Sequence, residues 1–437
     1  MSCIMKRMVS VLLILFTVHS GSVFAQTQEE SFFESSPVVK LPDDEFYPDG
    51  KKFMFSIFSV LSPDLEKLKD DGFTAIGPYY GEQKKSGVLE KAHATGLKCF
   101  YRVGEHIDFV HDPNYVLPSD KEIVEQIREV MLPVVDDPSI ACWYLGNEEL
   151  RHWRPDEMRW LEVATQAIKQ LDPLKRPIWM YEPNHRPAEG LAKTLKYQDY
   201  CGKGDYVNLA GYQNNRVWIK WSIAQQMEAI KISGKKNAVP LCVPEMCCDP
   251  EPQFHEMIPL WCRHDIYCSL VNGAKGVAIW SGFRRRGLDT YDLYYKGYSS
   301  VSRELNGELN LGEVFLFGEK KDRIKVGIID GVKAVTLKIG LGDMERIKEC
   351  IEAGRLDDSG TDYSPLSISE LSYGDDVYLF IVNSASAYIK IAVSSLPQED
   401  FKTQPLLGGE VPEIKNGIFK TELSPYDVRC YKFSKEK

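Results

Sequence analysis

The chain has 437 residues, of which 43% are hydrophobic and 27% are charged, and this globular composition excludes a coiled coil, a collagen or a mainly disordered chain. Its formal charge of −10 provides no basic field for a phosphate backbone, so we expect no nucleic-acid partner. The length suits two or three ordinary domains, or one barrel of about 250 residues with a smaller module.

The N-terminus has the pattern of a secretory signal peptide. Two basic residues precede an apolar run over 9–18, and small residues lead to Ala25. The run is too short to cross a bilayer with ease. We therefore expect residues 1–25 to be cleaved, which would leave a secreted or periplasmic protein with an N-terminal extension over 26–49. A membrane anchor is the alternative, and no later segment has the length and apolarity of a membrane span.

Eight short apolar runs follow, and segments with helical signals alternate with them. Each run is bounded by Gly, Pro, Asp or Asn, as buried strands are. The repeated strand–helix order predicts the α/β class, with a closed (β/α)8 TIM barrel over 50–316. A doubly wound open sheet is the alternative, but no Gly-rich turn follows the first run. The predicted strands are 53–58, 74–77, 97–103, 140–145, 177–181, 206–211, 239–244 and 276–280.

Two serines indicate where helices begin. Ser62 precedes Pro63 and an acidic turn, and Ser119 precedes Asp120 and Glu122. Serine is a favoured N-cap residue, and proline is favoured in the first helical turn. We therefore expect a helix to begin after each serine.

The pattern changes near residue 317 to alternation of apolar and polar residues. Asp, Gly, Asn and Ser separate the alternating runs, which predicts a small antiparallel β-sandwich over 317–437. All eight tryptophans lie before this region, so the chemistry is sought in the barrel. The predicted strands are 324–329, 335–339, 377–382, 388–393 and 428–433.

Ten cysteines follow the signal peptide. Cys99 and Cys142 lie inside strand-like runs, where cysteine usually acts as a small buried hydrophobe. A secreted protein can form disulfides, so one disulfide bond is the alternative to buried free thiols. The group around Cys247, Cys248 and His255 matches no standard zinc spacing, so we expect no metal and no other cofactor.

Acidic residues end two of the predicted strands. Glu148, with Glu149 as its rival, follows the fourth strand, and Glu245 follows the seventh on the same face as Leu241 and Val243. In a barrel, the C-terminal ends of strands carry the catalytic groups. Retaining glycoside hydrolysis needs two carboxyl groups about 5–5.5 Å apart, one as acid/base and one as nucleophile. The two strand ends can supply such a pair across the barrel mouth.

The sequence Gly-Asn-Glu at 146–148, together with Glu245, resembles clan A of the glycoside hydrolases over residues 50 to 315. The resemblance implies that Glu148 is the acid/base, Glu245 is the nucleophile and Asn147 binds the substrate. It also implies that Trp280 at the end of strand eight lines the sugar site, and that Tyr212 touches the nucleophile.

Four further residues are candidates for substrate binding. Tyr181 ends the fifth predicted strand, while Trp153 and Trp218 lie in or beside loops that we place above the barrel mouth. Arg102 on strand three would replace the arginine that many clan members carry at the end of strand two. Ala210 stands where a histidine is frequent in the clan.

These features together predict a secreted, metal-independent retaining β-glycosidase that acts as a monomer on a poly- or oligosaccharide. The layout also resembles endo-β-1,3-glucanases with a barrel and a C-terminal sandwich. The alternatives are a transglycosylase that uses the same pair, a carbohydrate-binding barrel without turnover, and a barrel enzyme that uses a divalent metal.

Overall fold

The computed structural model describes residues 52–85, 87–104, 116–146, 150–211, 215–338, 360–396 and 401–435. The predictions of a signal peptide and an N-terminal extension lie outside the described residues. No helix in the described segments is long and apolar enough to cross a membrane.

Eight parallel strands form the barrel that the sequence predicts. They are β1 (Phe55–Val60), β2 (Ala75–Pro78), β3 (Lys98–Arg102), β4 (Ile140–Leu145), β5 (Ile178–Met180), β6 (Tyr200–Cys201), β7 (Val239–Pro240) and β8 (Val277–Ile279). Six of them pair in the order β5-β4-β3-β2-β1-β8, and β6 pairs with β7. Single bridges from Glu182 to Lys203 and from Cys242 to Val277 join the two groups into a ring.

Helices connect these strands and cover the barrel. They are α1 (Leu65–Asp70), α2 (Tyr80–Gln83), α3 (Val88–Thr95), α4 (Asp120–Met131), α5 (Pro155–Leu171), α6 (Ala188–Leu195), α7 (Val217–Ser233), α8 (Ile258–Val271), α9 (Tyr291–Asn306) and α10 (Leu311–Phe317). Short 3-10 turns span Ser62–Asp64 and Pro252–Met257.

The two predicted helix starts have different outcomes. Ser119 forms a capping box before α4, in which its hydroxyl accepts from the Glu122 N–H and the Glu122 carboxylate accepts from the Ser119 N–H. Ser62 begins only a 3-10 turn and caps no helix, because its hydroxyl donates to Glu82 at 2.7 Å. The hydroxyl group that was expected to cap a helix is therefore bonded to the side chain of Glu82 in α2 instead.

The sixth strand lies before the predicted one, so the prediction of 206–211 was wrong. The true strand and its bridges contain two glycines, Gly202 and Gly204, that face the barrel interior. A Cβ on Gly202 would lie 2.9 Å from Nε1 of Trp179, and one on Gly204 would lie 2.3 Å from the Tyr181 hydroxyl. The large rings of Trp179 on β5 and of Tyr181 directly after it therefore require glycine here, which removes the apolar pattern that identifies a strand.

Aromatic rings fill the barrel interior. The ring of Phe58 packs edge-on against Phe100, Tyr144 and Trp179, with centroid distances of 5.4, 5.1 and 5.5 Å. A Cβ on Gly77 would lie 2.3 Å from the same phenylalanine. The interior is thus packed by alternating very large and very small residues, which interdigitate at high density.

This packing makes the interior glycines sensitive to one added methyl group. We expect Gly204→Ala to lower the free energy of unfolding by about 1–3 kcal/mol, because Tyr181 must move away from the new Cβ. Urea unfolding of purified protein measures the change. Gly327→Ala is the control, since a Cβ there would meet nothing within 4 Å. Equal stability losses in the two variants would contradict this account of the packing.

The C-terminal region is the predicted antiparallel β structure. Its strands are β9 (Glu319–Lys321), β10 (Lys325–Gly331), β11 (Val335–Leu337), β12 (Thr361–Tyr363), β13 (Leu366–Tyr373), β14 (Asp376–Asn383), β15 (Ile389–Ser394), β16 (Phe401–Leu407), β17 (Phe419–Leu423) and β18 (Val428–Lys435). One sheet has the order β16-β18-β14-β13-β9 and the other has the order β10-β15-β17, while β11 and β12 form a separate pair.

The central strand β14 is buried on both faces. Leu379 and Ile381 point into the core between the two sheets, whereas Phe380 belongs to the core of the barrel. The ring of Phe380 lies 4.4 Å from Phe315 of α10 and stacks on Tyr267 of α8 at 6.4 Å. The β-sandwich therefore packs directly on the helices that cover the barrel.

The described cysteines are free thiols, and most of them are buried. Cys99, Cys142 and Cys242 are completely buried in the barrel, as the sequence predicts. Burial raises the pKa of each of these thiols, so they stay protonated and inert.

Candidate active site

Glu245 lies just beyond β7, at the C-terminal edge of the barrel. Its backbone forms an isolated parallel β-bridge with the backbone of Trp280, which lies just beyond β8. Only 3% of Glu245 is exposed, and two consecutive backbone N–H groups donate to its carboxylate. The N–H of Asn208 reaches Oε1 at 2.5 Å and the N–H of Leu209 reaches Oε2 at 2.9 Å. These two bonds fix the plane of the carboxyl group and leave further lone pairs on both oxygens.

Burial raises the pKa of Glu245 to about 7. The two backbone N–H groups and the charge of Arg216 act in the opposite direction, but burial outweighs them. A pKa near 7 allows the Glu245 carboxyl group to exist in either protonation state near neutral pH. Burial also raises the pKa of Glu182, so the surroundings of Glu245, and not the pKa shift alone, bear on its role.

Aromatic side chains form the wall beside Glu245. The ring of Trp280 lies 6.2 Å from Phe58 and 6.2 Å from Tyr181, and Tyr181 stacks on Tyr206 at 6.1 Å. Trp280 is partly exposed, while Tyr181 is buried. The structure therefore brings Glu245, Trp280 and Tyr181 together, and Trp280 is the member that can present a ring face to a ligand.

Arg102 provides a positive charge at the end of β3. Its guanidinium lies against Gly146, since a Cβ there would be 2.7 Å from Cζ. Its Nε donates to the carbonyl of Gly104 at 3.2 Å, and Gln83 holds its backbone with two hydrogen bonds. The glycine at 146 is thus needed for Arg102 to reach over the end of β4.

Three predicted site residues lie outside the described residues. They are Asn147, Glu148 and Tyr212. Their roles stay predictions from the sequence, and the structure describes only the residues that flank them, which are Gly146 and Leu150 on either side of the first gap and Gly211 and Asn215 on either side of the second.

The two other tryptophans occupy different surroundings. Trp153 lies in the turn before α5, with its ring 4.9 Å from His152 in a T-shaped contact. Trp218 was predicted in or beside a loop, and it lies near the start of α7 with 1% of its surface exposed. The ring centroids of Trp218 and Trp221 are 4.6 Å apart, and the ammonium group of Lys203 lies over the Trp221 ring, 3.7 Å from its centroid. With so little exposed surface, Trp218 offers no ring face to a sugar.

Several groups around Glu245 could not be found from the sequence. Two are the backbone N–H groups of Asn208 and Leu209, which carry no sequence signature. The hydroxyl of Tyr298 donates to the Glu245 carbonyl at 2.7 Å. The side chain of Asn208 donates to the hydroxyl of Tyr294 at 2.8 Å. The spacing of four residues between the tyrosines places both on one face of α9, and this is the one available signal.

Exposed aromatic rings lie on the rim near the end of β8. Tyr79 and Phe283 stack at 5.2 Å with an interplanar angle of 14°, and about two fifths of each side chain is exposed. A cavity of about 290 Å³ opens beside Phe283, but its tyrosines are covered by cations. Lys67 lies over Tyr295 and Arg284 lies over Tyr291. The rim pair is therefore the more accessible aromatic surface.

Within the described residues, no three or more His, Cys, Asp or Glu side chains are grouped so that they could hold a metal ion. The Glu245 carboxylate is bound by N–H donors, which is the surrounding of an anion.

No protein-family model matches the chain, and a search of curated proteins finds no match. Solved structures share its fold. AmyP in complex with maltose aligns with a TM-score of 0.51 at 12% identity, over 85% of this chain and 88% of AmyP. An alpha-amylase from H. orenii aligns with a TM-score of 0.50 at 12% identity, over 88% of this chain and 100% of the amylase.

A GH30 endoxylanase from Clostridium papyrosolvens C71 aligns with a TM-score of 0.47 at 12% identity, over 88% of this chain and 97% of the xylanase. The likeness to AmyP and to the H. orenii amylase, at 12% identity, establishes only the class of fold, a (β/α)8 barrel. A shared fold of this kind does not define the function.

Proposed function

We propose that the protein is a retaining glycoside hydrolase with Glu245 as its nucleophile. The observation that carries the proposal is the buried Glu245 carboxyl at the C-terminal edge of β7, with a pKa raised to about 7 and a partly exposed Trp280 beside it. Catalytic residues of such barrels lie at this edge, and sugar rings pack on aromatic faces. The sequence resemblance to clan A supports the same role.

The proposed mechanism has two displacements. In the first, an ionised Glu245 oxygen attacks the anomeric carbon while the bond to the leaving oxygen breaks and Glu148 gives that oxygen a proton. In the second, Glu148 takes a proton from water, the water oxygen bonds to the anomeric carbon, and the bond to Glu245 breaks. The backbone N–H groups at 208 and 209 hold the attacking carboxylate in place throughout.

The proposed substrate is a β-linked poly- or oligosaccharide, and β-glucans, including β-1,3-glucans, are the first candidates. It rests on the clan A resemblance of Asn147, Glu148, Glu245 and Trp280. Secretion or export to the periplasm, and action as a monomer, belong to the same proposal and rest on the N-terminal sequence and composition. The rim pair of Tyr79 and Phe283 is suited to bind further sugar units by stacking.

A panel of saccharides tests the proposal. Purified protein is incubated with β-1,3-, β-1,4- and β-1,6-glucans, mannan, xylan and β-galactosides, and released sugars are separated by chromatography. Maltotriose is included because AmyP, a structural neighbour, has been crystallised with it. We expect release from at least one β-linked substrate. Cleavage of maltotriose alone would contradict the β assignment, and no release from any substrate would contradict hydrolysis.

The second candidate is a carbohydrate-binding barrel without turnover. The observation that favours it is that both oxygens of Glu245 are bound by the consecutive N–H groups of one turn, as in a structural cap. Calorimetric binding of an oligosaccharide that stays intact on long incubation would identify this function. Binding followed by cleavage identifies the hydrolase.

The pH dependence of kcat/KM follows from the Glu245 pKa of about 7. The nucleophile must be ionised, so activity should be low at acidic pH and should rise as pH passes through about 7. Protonation of Glu245 removes activity below that value, and loss of the proton from the acid/base limits activity above it. Initial rates at low substrate concentration from pH 4 to pH 10 measure both limbs. An acidic limb near pH 4.5, the ordinary value for glutamate, would contradict a buried nucleophile.

A further inference from the structure

Two separate segments of the chain meet at the Glu245 carboxyl group. One carries Glu245 itself, just beyond β7, and the other is the segment 205–211 between β6 and α7, which we call the donor turn. The donor turn supplies the N–H of Asn208, which reaches Oε1 at 2.5 Å, and the N–H of Leu209, which reaches Oε2 at 2.9 Å. The orientation of the carboxyl group therefore depends on where the donor turn lies relative to the segment that carries Glu245.

The start of the donor turn is fixed to the segment that carries Glu245. The N–H of Asp205 donates to the carbonyl of Val243 at 2.8 Å, and Oδ2 of Asp205 accepts from the N–H of Val243 at 2.8 Å. Both residues are 1% exposed. Asn208 and Leu209 lie three and four residues further along, so a second contact is needed to hold the part of the turn that binds the carboxyl group.

The side chain of Asn208 provides this second contact. Its Nδ2 donates to the hydroxyl of Tyr294 at 2.8 Å, and the same hydroxyl donates to the carbonyl of Cys248 at 3.0 Å. A phenol hydroxyl has one proton to donate and lone pairs that accept, so both bonds form at once. Tyr294 therefore joins the donor turn to the chain three residues after Glu245.

The same helix also holds the backbone of Glu245. The hydroxyl of Tyr298 donates to the Glu245 carbonyl at 2.7 Å, and Tyr298 lies one turn after Tyr294 on α9. The two rings stack with centroids 6.2 Å apart and an interplanar angle of 18°, and at most 2% of either residue is exposed. Burial raises the pKa of both phenols well above the ordinary value, so both hydroxyls stay protonated and can donate.

Close packing of α9 against α8 fixes the positions of these hydroxyls. Gly297 lies between the two tyrosines, and a Cβ there would be 2.9 Å from Cβ of Cys262 and 3.0 Å from Cα of Pro259. Cys262 and Pro259 belong to α8, so the glycine lets the two helices approach closely. An interior packed at this density leaves little room for the tyrosine rings to move.

We propose that Tyr294 is a positioning residue for the nucleophile, which it serves by holding the donor turn through Asn208. Tyr294 fixes the two N–H donors, and Tyr298 on the same helix fixes the backbone of the residue that they bind. The proposal rests on the proposed role of Glu245 and assigns α9 the part of keeping the carboxylate and its donors aligned.

Amide NMR tests the contact without any need for turnover. Labelling asparagine carbonyl groups with ¹³C and leucine amides with ¹⁵N selects Asn–Leu peptide bonds, of which the sequence has two, at 208–209 and 310–311. The signal that disappears in Asn208→Ala belongs to Leu209. Glu245→Gln, which replaces the charged acceptor, sets the direction of the shift. We expect Tyr294→Phe to move the Leu209 amide proton in the same direction, because its bond to Oε2 weakens when the turn is released.

Steady-state kinetics test the consequence for catalysis. We expect Tyr294→Phe to lower kcat about 10–100-fold, because the attacking carboxylate is less well oriented. KM should change little, since the Tyr294 hydroxyl is buried and binds protein groups rather than the substrate. The saccharide that the panel identifies is the substrate, and the unfolding midpoint shows whether the variant is folded.

Tyr295→Phe is the matched control. Tyr295 is the next residue on α9, its ring stacks on Tyr291 at 6.3 Å, and its hydroxyl donates to Asp71 at 2.6 Å, outside the donor turn. This variant also loses one hydroxyl bond from α9, so it measures the purely structural effect of such a loss. We expect an unchanged Leu209 shift and an unchanged kcat. Equal falls in kcat for the two tyrosine variants, or no change in either readout for folded Tyr294→Phe, would overturn the proposal.

Coupling completes the test. Asn208→Ala breaks the same bond from its other end and keeps the backbone N–H, so its kcat should fall about as much as that of Tyr294→Phe. Adding it to Tyr294→Phe should lower kcat less than about twofold further, because both changes remove one bond. Fully multiplicative losses would overturn the proposal. A Leu209 shift that responds to Tyr294→Phe alone, in a protein that cleaves no saccharide, would leave the contact standing and refute the proposed function.

Discussion

Glu245→Gln is expected to lower kcat/KM by at least about 10⁴-fold on every substrate that the protein cleaves, because no covalent intermediate can form without the carboxylate. The amide retains the size of the side chain and one acceptor oxygen for the N–H groups of Asn208 and Leu209. Stopped assays with sensitive detection of released sugar measure the loss. Circular dichroism and the unfolding midpoint show whether the variant is folded.

Glu182 offers a matched control for this substitution. It also follows a barrel strand, is buried and has a pKa that burial raises, but its carboxylate accepts from Thr194 and Gln198 on the outer, helical side. We expect Glu182→Gln to lower the unfolding midpoint while the folded protein keeps its activity. Added azide should restore turnover in Glu245→Ala and give a glycosyl azide of inverted configuration. Equal losses of activity in folded Glu182→Gln and Glu245→Gln would contradict the assignment of the nucleophile.

Glu148→Gln is expected to have a large effect that depends on the leaving group. Natural saccharides have poor leaving groups and need a proton donor, so their kcat/KM should fall about 10²–10⁴-fold. Aryl glycosides with acidic phenols need little protonation, so their first step should be affected far less. Parallel assays of a natural oligosaccharide and a dinitrophenyl glycoside measure the difference, and azide should accelerate the variant and yield a product of retained configuration.

Glu149→Gln serves as the control for the acid/base, because Glu149 is the neighbouring carboxyl group and the rival in the sequence. We expect Glu149→Gln to change kcat/KM little for either class of substrate. If kcat/KM of Glu149→Gln fell far more for natural saccharides than for aryl glycosides, while Glu148→Gln kept its activity, Glu149 would be the acid/base instead. Equal loss on both substrate classes in Glu148→Gln, without azide rescue, would indicate a structural role instead.

Much of the barrel could be predicted because parallel strands that are buried on both faces have nearly continuous apolar sequences. The run at 140–145 coincides with β4, and the run at 276–280 contains β8. The sixth strand was missed because Gly202, Lys203 and Gly204 interrupt the apolar pattern. Those glycines are required by contacts with Trp179 on the neighbouring strand and with Tyr181 directly after it, and such contacts are visible only in three dimensions.

The site could be predicted in part. Alternation along the seventh strand indicated that Glu245 faces the barrel interior, and Trp280 lies beside it in the structure. The groups that hold the carboxylate were not predictable, because backbone N–H donors at 208 and 209 have no residue signature. The bond between Asn208 and Tyr294 joins residues 86 positions apart, so spacing gives no sign of it. The burial of Trp218 was not predictable, because an apolar helix segment and an aromatic-rich loop have similar compositions.

Covalent trapping is the measurement that tests the central claim most directly. A 2-deoxy-2-fluoro glycoside with a good leaving group, of the sugar that the panel identifies, should form a glycosyl-enzyme that hydrolyses slowly. Mass spectrometry of the intact protein and of a peptic digest locates the added sugar. We expect one sugar per chain, on the peptide that contains Glu245, and a product of retained configuration by NMR. A label on another residue, or an inverted product without any label, would contradict the role of Glu245 as nucleophile.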